Sequence, residues 1–273
     1  VSSILKNHGF WVIDGTKVWM YDAVEPRKRY TVYDYVKDAN KVIDEIISRR
    51  KLPIIVGGTG LYLKAILEGL SNLAIPQDKK LRKRLEKLSL ENLQQELQVL
   101  SLGKWQKMNS SDQQNPRRLI RAIELAMSNH KGDPLTSRLR RVAQDDHAKG
   151  GSNVLKVGLT APRGVLYKKV DEHVVRRIDQ GMIEEAERLH RNGLSLKRMR
   201  QLGLEYGILA DYLEGKIKNI DDLIKLLQNK NHGFVRRQLT WFRKEKDVVW
   251  FDIATENFAT RVEKKVAKWY YPY

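Results

Sequence analysis

The segment Pro53–Tyr62, PIIVGGTGLY, constrains the fold of this chain more than any other stretch. Its first four residues are apolar without alternation, which is typical of a parallel strand covered on both faces. Gly57, Gly58 and Gly60 then permit backbone conformations closed to other residues, and Thr59 is the only reactive side chain of the turn. A strand, a glycine turn and a helix in this order indicate an α/β protein whose turn offers backbone N–H groups and one hydroxyl to a ligand. An ordinary βα turn without a ligand fits these ten residues as well.

The charge of the chain points to a polyanionic partner. Its 273 residues include 51 Lys and Arg against 33 Asp and Glu, so the formal net charge is +18. This excess has the sign that attracts nucleic acid, although a merely solubilising surface is the alternative. The absence of Cys excludes disulfides, thiol nucleophiles and Cys-ligated zinc, and no apolar run approaches the roughly twenty residues needed to cross a bilayer. We therefore expect a cytoplasmic protein that does not enter a membrane.

The first fifty residues predict a β-hairpin followed by an amphipathic helix. Two apolar runs, Phe10–Ile13 and Val18–Tyr21, flank Asp14–Gly15, a dipeptide typical of hairpin turns. Thr31 and Asp34 have the spacing of a capping box that opens a helix. The apolar stripe of this helix is predicted to consist of Tyr35, Val36, Ala39, Val42, Ile43, Ile46 and Ile47. The helix leads to the strand Leu52–Val56, and the two together predict a right-handed βαβ unit.

The rest of the chain reads as a helical stretch followed by a return to the sheet. Helices are predicted over Lys79–Leu88 and Leu90–Leu100, and a third begins at Pro116 with Asn115 as its cap. Residues 131–151 are polar and glycine-rich and predict a loop or linker. The predicted elements after it are a strand over Val154–Leu159, one long helix over Leu166–Leu189, a last strand over Val248–Ile253 and a closing helix that begins near Phe258.

The stretch PIIVGGTGLYLKAILEGL, from Pro53 to Leu70, closely resembles the tRNA dimethylallyltransferase (isopentenyl-tRNA transferase) family. Further matches follow in the order of the family: YDAVEPRKRYTVYDY, NPRRLIRAIE, GMIEEAERL, QLGLEYGILADYLEG and RRQLTWFRK. The resemblance implies transfer of a dimethylallyl group from dimethylallyl diphosphate, with Mg²⁺, to N6 of an adenine at position 37 of the tRNA anticodon loop. It also implies an α/β fold with a parallel-sheet core like that of P-loop nucleotide kinases and a largely helical insertion domain. We accordingly expect the core in residues 1–75, the insertion and linker in 76–149, and the second part of the core in 150–273.

Two features of the family have no counterpart in this sequence. Family members begin with a strand and a G-x-x-x-x-G-K-[ST] loop that cradles the diphosphate, and an Asp follows that is thought to deprotonate the adenine amine. Neither the loop nor the Asp segment is recognisable here. His173 also stands where family members usually have an Arg that meets the diphosphate, and a mostly neutral imidazole is a poor substitute. We therefore expect a chain that lacks the N-terminal P-loop strand of the family and is catalytically silent by itself.

The resemblance assigns roles to particular residues. Thr59 is the expected catalytic residue because it contacts the flipped-out adenine, and Gly57, Gly58, Gly60 and His173 are the expected substrate-binding residues. The tRNA, bound by a monomer of this chain, is expected to contact Arg82, Arg117, Arg118, Leu119, Arg121, Arg200, Gly203, Arg236, Arg237, Gln238, Thr240, Trp241 and Arg243. For any of these arginines, a solvated helix face is the alternative.

Two other functions compete with the enzyme. A non-catalytic RNA-binding remnant of the family would keep the helical insertion and the basic helices but not the chemistry. An unrelated P-loop-like nucleotide kinase is disfavoured, because nothing in such kinases explains RRQLTWFRK beside GGTGLYLKAI.

Overall fold

The computed structural model describes residues 4–70, 72, 75, 77–128 and 154–271. The chain divides into two compact units, the first made of Val1–Tyr30, Leu52–Gly60 and Asp145–Tyr273, and the second of Thr31–Lys51 and Leu61–Gln144. The domain boundaries expected at residues 75 and 150 stay a prediction, and the loop expected at residues 131–151 lies outside the described residues. None of the helices in the described ranges is long and apolar enough to cross a membrane.

The second unit begins with the capped helix that the sequence predicts. Helix α1 (Val32–Ser48) starts at Thr31, whose hydroxyl accepts a hydrogen bond from the backbone N–H of Asp34, while the Asp34 carboxylate accepts one from the backbone N–H of Thr31 at 2.8 Å. This reciprocal pair confirms the capping box. Helix α2 (Gly60–Leu67) follows the glycine turn, and the Tyr35 and Tyr62 rings of the two helices stack at 4.7 Å.

Short helices build the rest of the second unit. They are α3 (Lys79–Leu85), α4 (Leu90–Leu100), α5 (Leu102–Lys107), α6 (Ser110–Gln113) and α7 (Pro116–Met127). The predicted helices near residues 79, 90 and 116 are confirmed, whereas α5 and α6 were not predicted because each is too short to show a helical period. The Asn115 side chain caps α7, as expected, by accepting from the backbone N–H groups of Arg117 and Arg118. The core between α3, α4 and α7 consists of Leu85, Leu93, Leu97, Leu119, Ile120 and Ile123.

One carboxylate is buried beside this core. The Glu124 side chain is only 2% exposed, and its two oxygens accept a bidentate pair from Arg82, with Nε at 2.5 Å and Nη2 at 2.6 Å. Arg121 donates to the same carboxylate at 3.1 Å and to the backbone carbonyls of Asn72 and Ile75. Burial raises the pKa of Glu124, but the hydrogen bonds and charges of Arg82 and Arg121 outweigh it, so the pKa lies below its ordinary value.

Two small sheets lie in the first unit. Strands β1 (Ile4–Asn7), β2 (Phe10–Ile13) and β3 (Thr16–Trp19) form an antiparallel sheet in which Phe10 pairs with Trp19. The predicted hairpin is confirmed, and both turn residues, Asp14 and Gly15, have positive φ as a type I′ turn requires. Strands β4 (Lys156–Thr160) and β5 (Val248–Asp252) form a parallel pair. Both of these strands were predicted, with ends that differ by one or two residues.

The strand and the βαβ unit predicted at Leu52–Val56 are wrong. The segment is irregular, and Ile54 and Val56 are 76% and 89% exposed. An unalternating apolar run becomes a strand only when neighbours pair with it on both sides. Within the part of the chain that the structure describes, no strand pairs with this segment. Ile54 and Val56 therefore face solvent instead of a core.

Helices form the core of the first unit. They are α8 (Arg163–Asp179), α9 (Met182–Arg191), α10 (Leu196–Leu202), α11 (Leu204–Leu213) and α12 (Ile220–Phe242). The closing helix α13 (Phe258–Tyr270) has no buried residue. The fully buried members of this core include Ala186, Met199, Leu209, Ala210 and Leu223.

The single helix predicted over Leu166–Leu189 is wrong, because α8 ends at Asp179 and α9 begins at Met182. Gly181, with φ of +89°, takes the left-handed conformation that ends a helix. Its backbone N–H returns to the carbonyl of Ile178 at 3.0 Å. The apolar period continues across the break, which is why the pattern alone suggested one helix.

Replacing Glu124 should destabilise the chain far more than replacing an exposed glutamate. We expect Glu124→Gln to lower the free energy of unfolding at pH 7 by about 3 kcal/mol, because two guanidinium groups lose a buried partner. Glu96→Gln, which breaks the more exposed ion pair with Arg84, should cost under about 1 kcal/mol. Because the folded pKa of Glu124 is lowered, its contribution is fully present above the unfolded pKa of about 4.3 and is lost as pH falls through the folded value. Urea titrations between pH 7 and pH 3 measure both effects, and equal losses for the two variants would contradict the assignment.

Candidate nucleic-acid interface

The glycine turn packs against the C-terminal end of α12. The Gln238 side-chain amide donates to the carbonyl oxygen of Gly58 at 2.8 Å. Gly60 is buried against the Trp241 indole, and a Cβ added at either glycine would overlap the side chain that it faces. The absence of a Cβ at Gly58 and Gly60 is thus what brings the turn onto the helix. We call the residues Gly57–Gly60 and Arg236–Arg243 the turn–helix surface.

Thr59 lies at the exposed tip of this surface. Its hydroxyl makes no hydrogen bond with any other described residue, and Gly57 beside it is also exposed. Gly58 and Gly60 flank Thr59 and are held by α12 as described above. The only reactive side chain of the turn is therefore free to meet a ligand.

Several of the arginines expected to bind tRNA are already paired with carboxylates. Arg200 donates to Asp211 through Nε at 3.0 Å and Nη2 at 2.8 Å, and it also contacts Glu214. The other pairs are Arg82 and Arg121 with Glu124, and Arg118 with Asp112. A guanidinium that is neutralised by an acid attracts a phosphate less strongly, since the carboxylate repels it.

The end of α12 carries arginines without an acidic partner. Arg237 and Arg243 are exposed and make no ion pair among the described residues, and Arg237 lies over the Phe234 ring at 5.9 Å. Arg236 donates to the hydroxyl of Tyr167 at 3.1 Å, a neutral partner. The motif Arg236–Lys244 contains no Asp or Glu. Three uncompensated guanidinium groups thus lie on the last two turns of the helix that holds the glycine turn.

The remaining predicted site residues lie on several elements. Leu119 is completely buried in the core of the second unit, so its side chain is not available to RNA in this structure. Arg117, at the start of α7, is exposed and makes no ion pair among the described residues. Gly203 separates α10 from α11 with φ of +153°. Thr240 donates its hydroxyl to the carbonyl of Arg236 inside α12.

His173 is exposed on α8 and makes no hydrogen bond or ion pair with other described residues. It is two residues from Asp171, and residues at that spacing do not share a helix face. The structure therefore does not place His173 with the part of α8 that contacts α12.

Sequence reasoning missed a polar cluster between α8 and α12. His232 Nε2 lies 2.7 Å from Asp171 Oδ1, and the Tyr167 and His232 rings stack at 4.0 Å between centroids. Tyr167 and Asp171 are four residues apart on α8, and His232 and Arg236 are four apart on α12, so each pair shares a helix face. That spacing is visible in the sequence, but which two helices meet is not.

The expected Mg²⁺ stays a prediction. In the part of the chain that the structure describes, no group of three or more His, Cys, Asp or Glu side chains could hold a metal ion. The residues of the turn–helix surface, which are basic or neutral, do not fit a divalent cation either.

The family model for IPP transferase matches residues 13–245. The chain belongs to the IPP transferase family. Among its relatives, the tRNA dimethylallyltransferase of Carboxydothermus hydrogenoformans is 34% identical over 259 residues, which cover 93% of this chain and 80% of that protein. That of Pelotomaculum thermopropionicum is 36% identical over 243 residues, 88% of this chain and 74% of the relative. Both relatives are tRNA dimethylallyltransferases, so the family of this chain is a prenyltransferase family.

Solved IPP transferase structures share the fold. The tRNA isopentenylpyrophosphate transferase of Bacillus halodurans has a TM-score of 0.56 at 26% identity, over 91% of this chain and 76% of that one. A eukaryotic dimethylallyltransferase acting on tRNA has a TM-score of 0.65 at 17% identity, over 91% of this chain and 63% of that one, which shows the fold alone. The predicted fold class, a P-loop nucleotide-kinase-like α/β protein, is confirmed by these structures.

Adding a methyl group at Gly60 should disturb the turn–helix surface. We expect Gly60→Ala to push the Trp241 indole aside and lower the free energy of unfolding by about 1–3 kcal/mol, the usual cost of overpacking. Gly164→Ala, in α8 of the same unit, is the control because a Cβ there meets nothing within 4 Å. Urea unfolding followed by circular dichroism compares the two variants. A Gly60→Ala chain as stable as the control would mean that the close approach is not maintained in solution.

Proposed function

We propose that this chain acts in tRNA modification as a tRNA dimethylallyltransferase. The reaction transfers the dimethylallyl group of dimethylallyl diphosphate to N6 of the adenine at position 37 of the anticodon loop. Membership in the IPP transferase family supports the reaction class. The observation that carries the RNA side of the proposal is the group of arginines with no acidic partner among the described residues, Arg236, Arg237 and Arg243, at the end of the helix that contacts the glycine turn.

The turn–helix surface suits a nucleotide taken out of its stack. An adenine within the anticodon loop cannot reach a buried allylic carbon, so it must swing out. The arginines would hold the phosphates on either side of the adenine nucleotide. The Trp241 indole would remain packed against Gly60 of the turn. Thr59, whose hydroxyl is unengaged, would hydrogen-bond to the adenine and orient N6. Arg82 and Arg121 act mainly as structural residues in this proposal, because Glu124 occupies their guanidinium groups.

In the transfer itself, the lone pair of N6 forms a bond to the allylic carbon while the bond from that carbon to the diphosphate oxygen breaks. The diphosphate leaves with the electron pair, and N6 gives its proton to a base. Thr59 orients the nucleophile and does not serve as that base, since a hydroxyl is a weak one. Mg²⁺ enters the proposal only as the counter-ion that the diphosphate carries.

The diphosphate side of the reaction is not assigned to residues of this chain. The sequence has no G-x-x-x-x-G-K-[ST] motif, and His173 is exposed on α8 away from the face that contacts α12. The exposed His173, at the position where family members usually have an arginine, favours a second candidate function, a tRNA-binding protein without transferase activity. The monomeric state and cytoplasmic location stay predictions under either function.

Removing two of the uncompensated arginines should weaken tRNA binding and its salt dependence. We expect the double variant Arg236→Ala, Arg243→Ala to raise the Kd for unmodified tRNA about tenfold. It should also make the slope of log K against log salt less steep by about 1.5, because binding with two fewer phosphate contacts releases fewer counterions. The control is Arg191→Ala, Lys264→Ala, which removes the same charge from α9 and α13. Filter binding at several salt concentrations measures both quantities, and equal slopes for the two double variants would contradict the proposed surface.

The two candidate functions differ in turnover. If the chain is a transferase, incubation with dimethylallyl diphosphate, Mg²⁺ and unmodified tRNA should form prenylated adenosine detectable by mass spectrometry, and if it is a tRNA-binding protein it should bind the tRNA without product. Product would show that the chain holds a diphosphate site of its own. In that case Thr59→Ala should lower the rate by about 10 to 1000-fold, because a group that orients the transition state would be lost.

A further inference from the structure

Three side chains that the proposed function does not use meet where α8 packs on α12. Asp171 Oδ1 and His232 Nε2 are 2.7 Å apart, and the ionised carboxylate can only accept, so the imidazole donates. The His232 ring lies parallel to the Tyr167 ring, with 4.0 Å between centroids and 9° between planes. The Tyr167 hydroxyl oxygen accepts from Arg236 Nη1 at 3.1 Å. The contacts form one continuous series from Asp171 to the guanidinium of Arg236.

Each contact in the series restricts the next group. The carboxylate fixes the rotation of the imidazole, which is itself only partly exposed, with 19% of its side chain accessible. The stacked imidazole then limits the tilt of the phenol ring, and the position of the phenol hydroxyl sets the direction of the guanidinium. Because the residues come in pairs four apart on two helices, the whole series depends on the packing of α8 against α12.

The last contact differs in kind from the ion pairs of the other arginines. Arg200 and Arg82 donate to carboxylates, which cancel their charge. Tyr167 is neutral, so Arg236 is oriented while its full positive charge remains available. An arginine that is held before binding loses less side-chain entropy when a phosphate arrives.

We propose that Asp171, His232 and Tyr167 are positioning residues that hold Arg236 in the orientation in which it contacts a tRNA phosphate. The inference rests on the proposed function, because it assumes that Arg236 binds tRNA. It adds that the affinity depends on three residues of which none needs to touch the RNA. Tyr167 is the deciding member, since only its hydroxyl reaches the guanidinium.

A double-mutant cycle tests whether Tyr167 acts through Arg236. Tyr167→Phe keeps the stacked ring and removes only the hydroxyl, and we expect it to raise the Kd for unmodified tRNA about three- to tenfold. In the Arg236→Ala background the same change should have no further effect. Tyr270→Phe, an exposed tyrosine on α13, is the matched control and should leave the Kd unchanged.

Substitutions of His232 and Asp171 test the earlier contacts. His232→Phe keeps a ring beside Tyr167 but loses the hydrogen bond to Asp171, and we expect a rise in Kd smaller than that of Tyr167→Phe. Asp171→Asn, which keeps an acceptor for the imidazole, should restore most of the affinity that Asp171→Ala loses. Unfolding curves of every variant identify any loss of binding that comes from loss of the fold.

The outcomes separate this inference from the function on which it rests. Failure of the unaltered chain to bind tRNA would overturn the proposed function and this inference with it. Binding that weakens with Arg236→Ala but not with Tyr167→Phe would overturn the inference alone. Equal effects of Tyr167→Phe with and without Arg236 would also overturn it, because Tyr167 would then act by another route.

Discussion

The close approach of Gly60 to the Trp241 indole is the contact on which the candidate site depends. A helix end and a turn that are far apart in sequence can meet at this distance only where one of them lacks a Cβ. The hydrogen bond from Gln238 to the carbonyl of Gly58 then fixes the turn along the helix. Between those two contacts, Thr59 is exposed to solvent.

Charge pairing within the protein decides which cations are available to a ligand. The chain has a large excess of Lys and Arg. Several of the arginines that the family resemblance assigns to tRNA binding nevertheless form ion pairs with Glu or Asp within their own unit. Arg82 and Arg121 stabilise a buried carboxylate and so belong to the architecture of the second unit. Net charge attracts a polyanion from a distance, and the proposed binding surface is the end of α12, whose arginines have no acidic partner among the described residues.

Local signals predicted much of the fold. The capping box of α1, the Asp14–Gly15 hairpin and the Asn115 cap are contacts between residues a few positions apart, and the sequence contains everything that they require. The prediction failed where the outcome depends on distant partners. Leu52–Val56 has the composition of a central strand but no strand beside it among the described residues, and Gly181 divides a continuous apolar period.

The candidate site, too, was predictable in its local motifs and not in its contacts between distant residues. The glycine turn and the RRQLTWFRK motif were recognisable, and their contact through Gln238 and Trp241 is a property of the folded chain. No sequence pattern could tell that Arg82 would meet Glu124 or that Arg236 would meet Tyr167, since each pair joins two helices. The basic residues of the candidate site could thus be named from the sequence, but the residues to which they hydrogen-bond could not.

The exposed segment Leu52–Val56 has a consequence for the behaviour of the chain in solution. It presents β-branched side chains, Ile54 and Val56, on an irregular backbone whose groups take part in no ladder among the described residues. Such a stretch is a template onto which an extended backbone can add, and its lack of charge gives nothing to repel the newcomer. Self-association of this chain should therefore begin at this segment, and a lysine in place of Val56 would act as a gatekeeper against it.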